Sequence, residues 1–405
     1  MIKSFRIHNF RTCRDVVVTD TSHSTLLIGR NGAGKTNILS ALEWVAETAV
    51  DGRMSSILPF MEGSSVTLEL ELGERRFLYT LGARKPADVH KSKEMSSLAF
   101  LYDDHLWEIT PRSKQPKLIF ERVADEITIV NGRRRQTVSV PPSLVRTFDL
   151  ALSVAGGTKA WQLIKDVRDF LIGIRYYALD DLRARAFYIR QDQYNSWLQD
   201  EDTVPGGDAV LYRLIRLHQE KREIFDEISH ILGKDELNII SNIRVTTATT
   251  VQNKKRANSS EVDHAIPDAL SKIYSVQFYV PSSQSSVVNY PSLSFGTRRI
   301  LQLIVALLYD RSTVMLVEQP EDGIHPGLLG KLMRVIHGYA SPTQFFMTSH
   351  SPSVVNSIPA KNLRIVMNVN GETTCRPLTT EELDDAKKFI NEEGQLAEYV
   401  RLLEQ

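Results

Sequence analysis

Apolar and polar residues alternate along residues 2–11, a period of two that predicts a strand ending in a turn, and Asp15-Val16-Val17-Val18 reads as a second strand. Ser24–Ile28 reads as a short buried strand. From residue 37 to 49 the period changes. Ile38, Ala41, Leu42, Val45 and Ala49 then fall on one face of a helix. Alternation returns over 66–72 and 76–81, and Gly73-Glu74 between them predicts a hairpin. Residues 84–97 are polar and read as a loop, while 98–109, 117–122 and 127–140 read as further short strands. The first third therefore holds more antiparallel strand than a plain doubly wound fold.

The middle third has a helical period over 160–172 and over 207–232. In the second of these Leu211, Leu214, Ile215, Ile224, Phe225, Ile228 and Leu232 belong to an apolar stripe. No heptad run is long enough for an extended coiled coil. Residues 246–261 are polar around Lys254-Lys255-Arg256 and read as a mobile loop. The last third alternates again between helix (298–309, 328–339) and buried strand (313–317, 344–347, 363–367). Thr379-Thr380-Glu381-Glu382 has the form of a capping box opening a C-terminal helix. The expected fold is α/β: an N-terminal antiparallel portion, a central mixed sheet flanked by helices and a helical insertion in the middle third. The expected segments are 1–150, 151–284 and 285–405.

Composition narrows this little. Hydrophobic residues are 42% and charged residues 24% of 405, ordinary for a globular chain. Lys+Arg and Asp+Glu both number 49, which argues against tight, purely electrostatic nucleic-acid binding but not against a local basic patch. Arg133-Arg134-Arg135 and Lys254-Lys255-Arg256 are such runs, and solvated loops are the simpler reading of both. The two cysteines, Cys13 and Cys375, form no metal-type cluster and fit a reducing compartment. No signal-like or membrane-spanning run is present, so a cytoplasmic location is expected.

The chemistry centres on Gly29-Arg30-Asn31-Gly32-Ala33-Gly34-Lys35-Thr36, which fits G-x-x-x-x-G-K-[ST]. The glycines let the backbone curl and turn its N–H groups toward phosphate oxygens. Lys35 is placed to reach the β- and γ-phosphates, and the Thr36 hydroxyl to ligate Mg²⁺. A strand before and a helix after put the positive end of the helix dipole at the phosphates.

Four later features extend the motif. Val314-Met315-Leu316-Val317-Glu318 is an apolar strand ending in a carboxylate, the Walker B pattern. Leu293-Ser294-Phe295-Gly296 precedes a helix. Taken alone, it could be an ordinary start with a capping serine. Gly323-Ile324-His325-Pro326 follows Walker B, and Thr348-Ser349-His350-Ser351-Pro352 follows a core strand. Together with Ile7-His8-Asn9-Phe10-Arg11, the set resembles the ABC-class ATPase heads of the RecF/SMC/Rad50/OLD group, in the RecF/OLD branch. The resemblance covers about residues 1–80 and 285–370.

It implies an ATP site at Arg11, Gly29, Asn31, Gly32, Ala33, Gly34, Lys35, Thr36 and Asn37, completed by Ser294 and Gly296 of a second copy. It implies Mg²⁺ on Thr36 and Glu318, a γ-phosphate-sensing switch at His350, and catalytic roles for Lys35, Glu318, His350 and residue 319. In that group a water-activating acid follows the Walker B carboxylate. Here the position is Gln319, an amide that cannot take a proton near neutral pH. ATP and Mg²⁺ should bind while hydrolysis is impaired. A natural pseudo-ATPase and a deliberate Glu→Gln change both explain this, and the retained Ser294, His350 and P-loop favour the second.

The resemblance further implies ATP-dependent head-to-tail homodimers and a conformational switch. With 55 residues after His350 no nuclease domain is expected there, so a nuclease or toxin would be a separate chain. Stand-alone ATPases of bacterial antiphage systems, such as the Septu and PARIS types, are the leading comparison. A RecF-like DNA-repair protein is the second and a transporter subunit the weakest.

Overall fold

A computed structural model describes residues 1–51, 63–84, 101–110, 115–140, 146–177, 186–201, 206–252, 269–281, 287–392 and 394–403. They form two compact units, one of residues 1–178, 312–321 and 336–405, the other of 179–311 and 322–335.

The first unit opens with β1 (Ile2–Phe10) and β2 (Cys13–Val18), antiparallel through a tight turn at Arg11, whose φ is +51°. β3 (Ser24–Ile28) leads through the glycine loop into α1 (Lys35–Ala46), which runs on as a π-helical turn to Asp51. Ile38, Ala41, Leu42, Val45 and Ala49 are all buried, as their spacing predicts. β4 (Ser64–Leu72) and β5 (Arg75–Arg84) form the hairpin about Gly73-Glu74. β6 (Leu101–Ile109), β7 (Lys117–Val123), β8 (Glu126–Asn131) and β9 (Arg134–Ser139) follow. All but β3 join an antiparallel eight-stranded sheet, ordered β2-β1-β4-β5-β6-β7-β8-β9. Alternation sets its inner face: Val66, Leu68 and Leu70 oppose Phe77, Tyr79 and Leu81 in the core. Arg133 lies in the turn before β9, while Arg134 and Arg135 are exposed on the strand itself, so two residues of that basic run are strand rather than loop. α2 (Thr147–Ala155) and α3 (Lys159–Ile172) pack near this sheet, and β10 (Ile174–Tyr177) ends the first passage.

The second unit carries β11 (Ile189–Arg190), α4 (Gln191–Gln199), α5 (Gly206–Glu220) and α6 (Arg222–Leu232). The helical period over 207–232 is thus two helices. They part at Lys221, where φ −140° and ψ 65° leave the helical region without a glycine or proline to signal it. β12 (Asn242–Gln252), β13 (Ala269–Tyr279) and β14 (Val287–Asn289) follow. The expected loop over 246–261 is corrected here. Thr246 to Gln252 is strand, paired residue for residue with β13, and its β-branched threonines suit a pleated surface better than their polarity suggested. Residues 253–261 lie outside the described residues, as do 85–97. α7 (Phe295–Tyr309) closes this passage.

The first unit resumes with β15 (Val314–Glu318), and α8 (Pro326–Gly338) begins in the second unit and ends in the first. Then come β16 (Gln344–Thr348), α9 (Pro352–Ser357), β17 (Leu363–Val369), β18 (Glu372–Pro377), α10 (Thr380–Glu392) and α11 (Leu396–Leu403). Thr379 and Glu382 do form a reciprocal cap, Glu382 N–H to Thr379 Oγ1 at 3.2 Å and Thr379 N–H to Glu382 Oε2 at 2.7 Å. The central sheet runs β10-β15-β16-β3-β17-β18, parallel except for the last pair. Every residue of β3 and β16 is buried, as a parallel strand covered on both faces requires. The buried amide of Gln344 ties the two sheets together, accepting from Ile2 N–H at 2.8 Å and donating to Ile2 O at 2.9 Å.

Candidate functional site

Because β15, β16 and β3 are parallel neighbours, their C-terminal ends converge. A cavity of about 200 Å³ lies there. It is lined by Asn31, Gly32, Gly34, Lys35, Thr36 and Asn37 from the loop and α1, Glu318 and Gln319 after β15, and Thr348 and His350 after β16. Gly34 opens α1 at φ +103°, and a Cβ on it would stand 1.9 Å from Thr373 Oγ1, so only glycine fits. On Gly32 a Cβ would meet nothing within 4 Å, leaving the rim of the loop open. Ala33 turns its methyl into the core, and with Gly29 it lines a neighbouring cavity of about 470 Å³ beside Val366–Val369 and Leu403.

Lys35 is buried, with its ammonium folded against the loop. Nζ donates to Gly29 O at 2.7 Å and to Arg30 O at 3.1 Å, and lies 2.9 Å from His350 Nε2. An ammonium only donates, so Nε2 accepts and the imidazole carries its proton on Nδ1. The Thr36 hydroxyl donates to one oxygen of Glu318, and the phenol of Tyr176 on β10 to the other. Gln319 has φ +42°, a strained left-handed conformation for a residue with a side chain. Its N–H is held by Thr348, 3.1 Å from the carbonyl and 3.2 Å from the hydroxyl. Arg11 reaches Asn37 Oδ1 at 3.3 Å, while Asn37 Nδ2 donates to Thr12 Oγ1 at 2.7 Å. Behind the site, burial first and Glu47 next push Glu43 up to about 8, with Arg11 opposing.

Twelve of the residues singled out from sequence as site residues thus lie within the first unit, ten of them about this cavity and Gly29 and Ala33 on the loop's other side. Ser294 and Gly296 belong to the second unit. Ser294 caps α7, accepting from Thr297 N–H at 3.1 Å, so the ordinary helix-start reading of that serine holds as well. A Cβ on Gly296 would lie 2.4 Å from Gly323 O, and Arg299 NH2 stands 3.9 Å from Asp322. The stretches 294–299 and 322–323 therefore pack backbone to backbone. Tyr176 escaped sequence reasoning, because nothing local shows that its strand lies beside β15. Among the described residues no cluster of three or more His, Cys, Asp or Glu side chains could hold a metal ion. The Thr36 hydroxyl and Glu318 carboxylate are hard oxygen donors that suit Mg²⁺ when ligand oxygens and water complete its shell.

A phosphate-binding loop between strand and helix, facing a strand-end carboxylate across parallel strands, defines a P-loop ATPase. A family model described as "AAA domain, putative AbiEii toxin, Type IV TA system" matches residues 24–356, and the chain belongs to that family. Over 100 residues it is 32% identical to the DNA replication and repair protein RecF of Myxococcus xanthus (strain DK1622), 24% of this chain and 26% of that protein. The chain thus matches about a quarter of the length of this curated relative. The family match makes it an AAA-type P-loop ATPase. Similar solved structures include the SMC head domain from Thermotoga maritima, with TM-score 0.45 and 12% identity over 94% of this chain and 99% of that one. Another is an Smc head domain with an extended coiled coil bound to the C-terminal domain of ScpA, derived from Pyrococcus furiosus, with TM-score 0.43 and 11% identity over 97% and 100%. Among the described residues no helix is long and apolar enough to cross a membrane.

Proposed function

We propose that the chain is an ATP-binding switch that closes head to tail on a second copy and governs a separately encoded effector, a nuclease or toxin, in bacterial antiphage defence. The observation that carries the switch is the contact of Lys35 with His350 across the cavity, at 2.9 Å. A terminal phosphate arriving there would compete for both side chains. Its presence or loss would then move the loop that carries His350. Nucleotide supplies the charged ligand; Lys35 and the loop N–H groups bind it, while Thr36 and Glu318 hold Mg²⁺, steadied by Tyr176. Arg11 and Asn37 flank the start of α1. Gln319 stands where a water-activating acid is expected, so bound ATP would persist and the closed state would be long-lived.

Ser294 and Gly296 stand at the exposed start of α7, which supports a role toward a second protomer. The effector reading draws on the toxin–antitoxin wording of the family description. The RecF stretch favours a second reading, DNA repair with direct DNA contact. Light scattering with and without ATP·Mg²⁺ tests the dimer, and Ser294→Arg should abolish it. A variant that dimerises as well as the parent would refute the head-to-tail arrangement.

A further inference from the structure

Glu321 is the last residue of the first unit before the chain passes into the second. Its side chain turns back onto the loop after β16. One oxygen, Oε1, accepts from the Ser349 hydroxyl at 2.7 Å, from His350 N–H at 2.8 Å and from Ser351 N–H at 3.2 Å. The Ser349 hydroxyl also accepts from Ser351 N–H, at 2.9 Å, so the three residues are cross-braced. The other oxygen, Oε2, is buried and has no hydrogen-bond partner among the described residues. Burying an acid with one oxygen unmatched is costly, and a plain turn needs no such group. Three donors converging on one acidic oxygen offset that cost and set the main chain of residues 349–351 firmly.

We infer that Glu321 is the positioning residue of the switch. It does not line the nucleotide cavity and acts through His350, whose main chain it fixes so that the imidazole meets Lys35. Two residues beyond Gln319, it also makes the loop of His350 follow any movement of the segment that leads into the second unit. The inference rests on the nucleotide reading of the cavity and adds the element that sets how strongly the γ-phosphate is told from its absence.

Calorimetric titration of the full chain with ATP·Mg²⁺ and ADP·Mg²⁺ tests it. The readout is the ATP-over-ADP preference rather than activity. Glu321→Ala should lower the parent's preference by roughly tenfold to a hundredfold, the range of a hydrogen bond to a charged group. His350→Ala should lower it equally, and the double variant no further, because both remove one coupled element. ADP affinity should stay within about threefold. Glu321→Gln, whose amide oxygen still accepts, should keep the preference, whereas Glu321→Asp, one methylene shorter, should lose it. The Gln and Asp variants decide the matter if the Ala variant fails to fold. Glu321→Ala or Glu321→Asp at the parent's preference, or additive losses in the double variant, would overturn the inference alone. A parent that binds neither nucleotide, or both equally, would overturn the reading beneath it as well.

Discussion

Gln319→Glu changes one side-chain atom type and asks nothing of the backbone. The left-handed turn at φ +42° is held by main-chain bonds to Thr348, and Glu and Gln are both unbranched at Cβ. The variant should therefore fold as the parent does. It places a second acid next to Glu318 in a cavity of about 200 Å³. Two neighbouring carboxylates at the mouth of a cavity repel by on the order of 1–3 kcal/mol at an effective dielectric of ~20. Without a cation the variant should be less stable than the parent by up to that amount, and ATP·Mg²⁺ should restore it. A positioned base contributes ~10²–10⁴-fold to a rate, or about 3–5 kcal/mol of barrier. Steady-state phosphate release should thus be near background for the present chain and at least a hundredfold faster for Gln319→Glu. Equal release from both versions, or none from the Glu version even with its natural partner present, would refute the assignment of residue 319.

Lys35→Ala should abolish nucleotide binding in calorimetry; unchanged affinity would move the site elsewhere. Tyr176→Phe removes the phenol from Glu318, and the Mg²⁺ needed for half-maximal nucleotide binding should rise roughly tenfold, as for losing one charge-assisted hydrogen bond. Melting should be nearly unchanged, and a Mg²⁺ response identical to the parent's would remove Tyr176 from the site. Glu43 titrates near 8 folded and near 4.5 unfolded, so the unfolded chain ionises first. Its contribution is fully present below about 4.5 and is lost as pH rises toward 8, by at most about 5 kcal/mol. Denaturant midpoints of Glu43→Gln against the parent should diverge over that window, with the variant gaining toward pH 8; parallel curves would contradict the burial of this acid.

Much of the first unit was written in local pattern. The hairpin at Gly73-Glu74, the covered strands and the apolar face of α1 follow from periods of two and 3.6, which need no knowledge of neighbours. The P-loop was legible for a related reason: eight consecutive residues carry its whole chemistry. Residues that act across strands were harder. Glu318, Gln319 and His350 came from resemblance and order along the chain. The partners that orient them, Tyr176 and Glu321, depend on which strands lie side by side and where a side chain turns back. The strand at Thr246–Gln252 was mistaken for loop because polarity was weighed above the β-branched run that pairs with β13. The break at Lys221 has no sequence marker.

The central sheet has a consequence for synthesis. Ser24 of β3 pairs with Phe345 of β16, 321 positions further on, and Leu26 with Leu363 of β17. At ~5–20 residues per second a ribosome needs roughly 15–65 s to supply that first neighbour. Throughout that interval the strand that feeds the phosphate loop has neither of its lateral partners, and five residues meant for the interior await cover. The central sheet therefore cannot close around β3 until the chain beyond residue 345 has been made, and the loop that β3 feeds gains its framework only at that point.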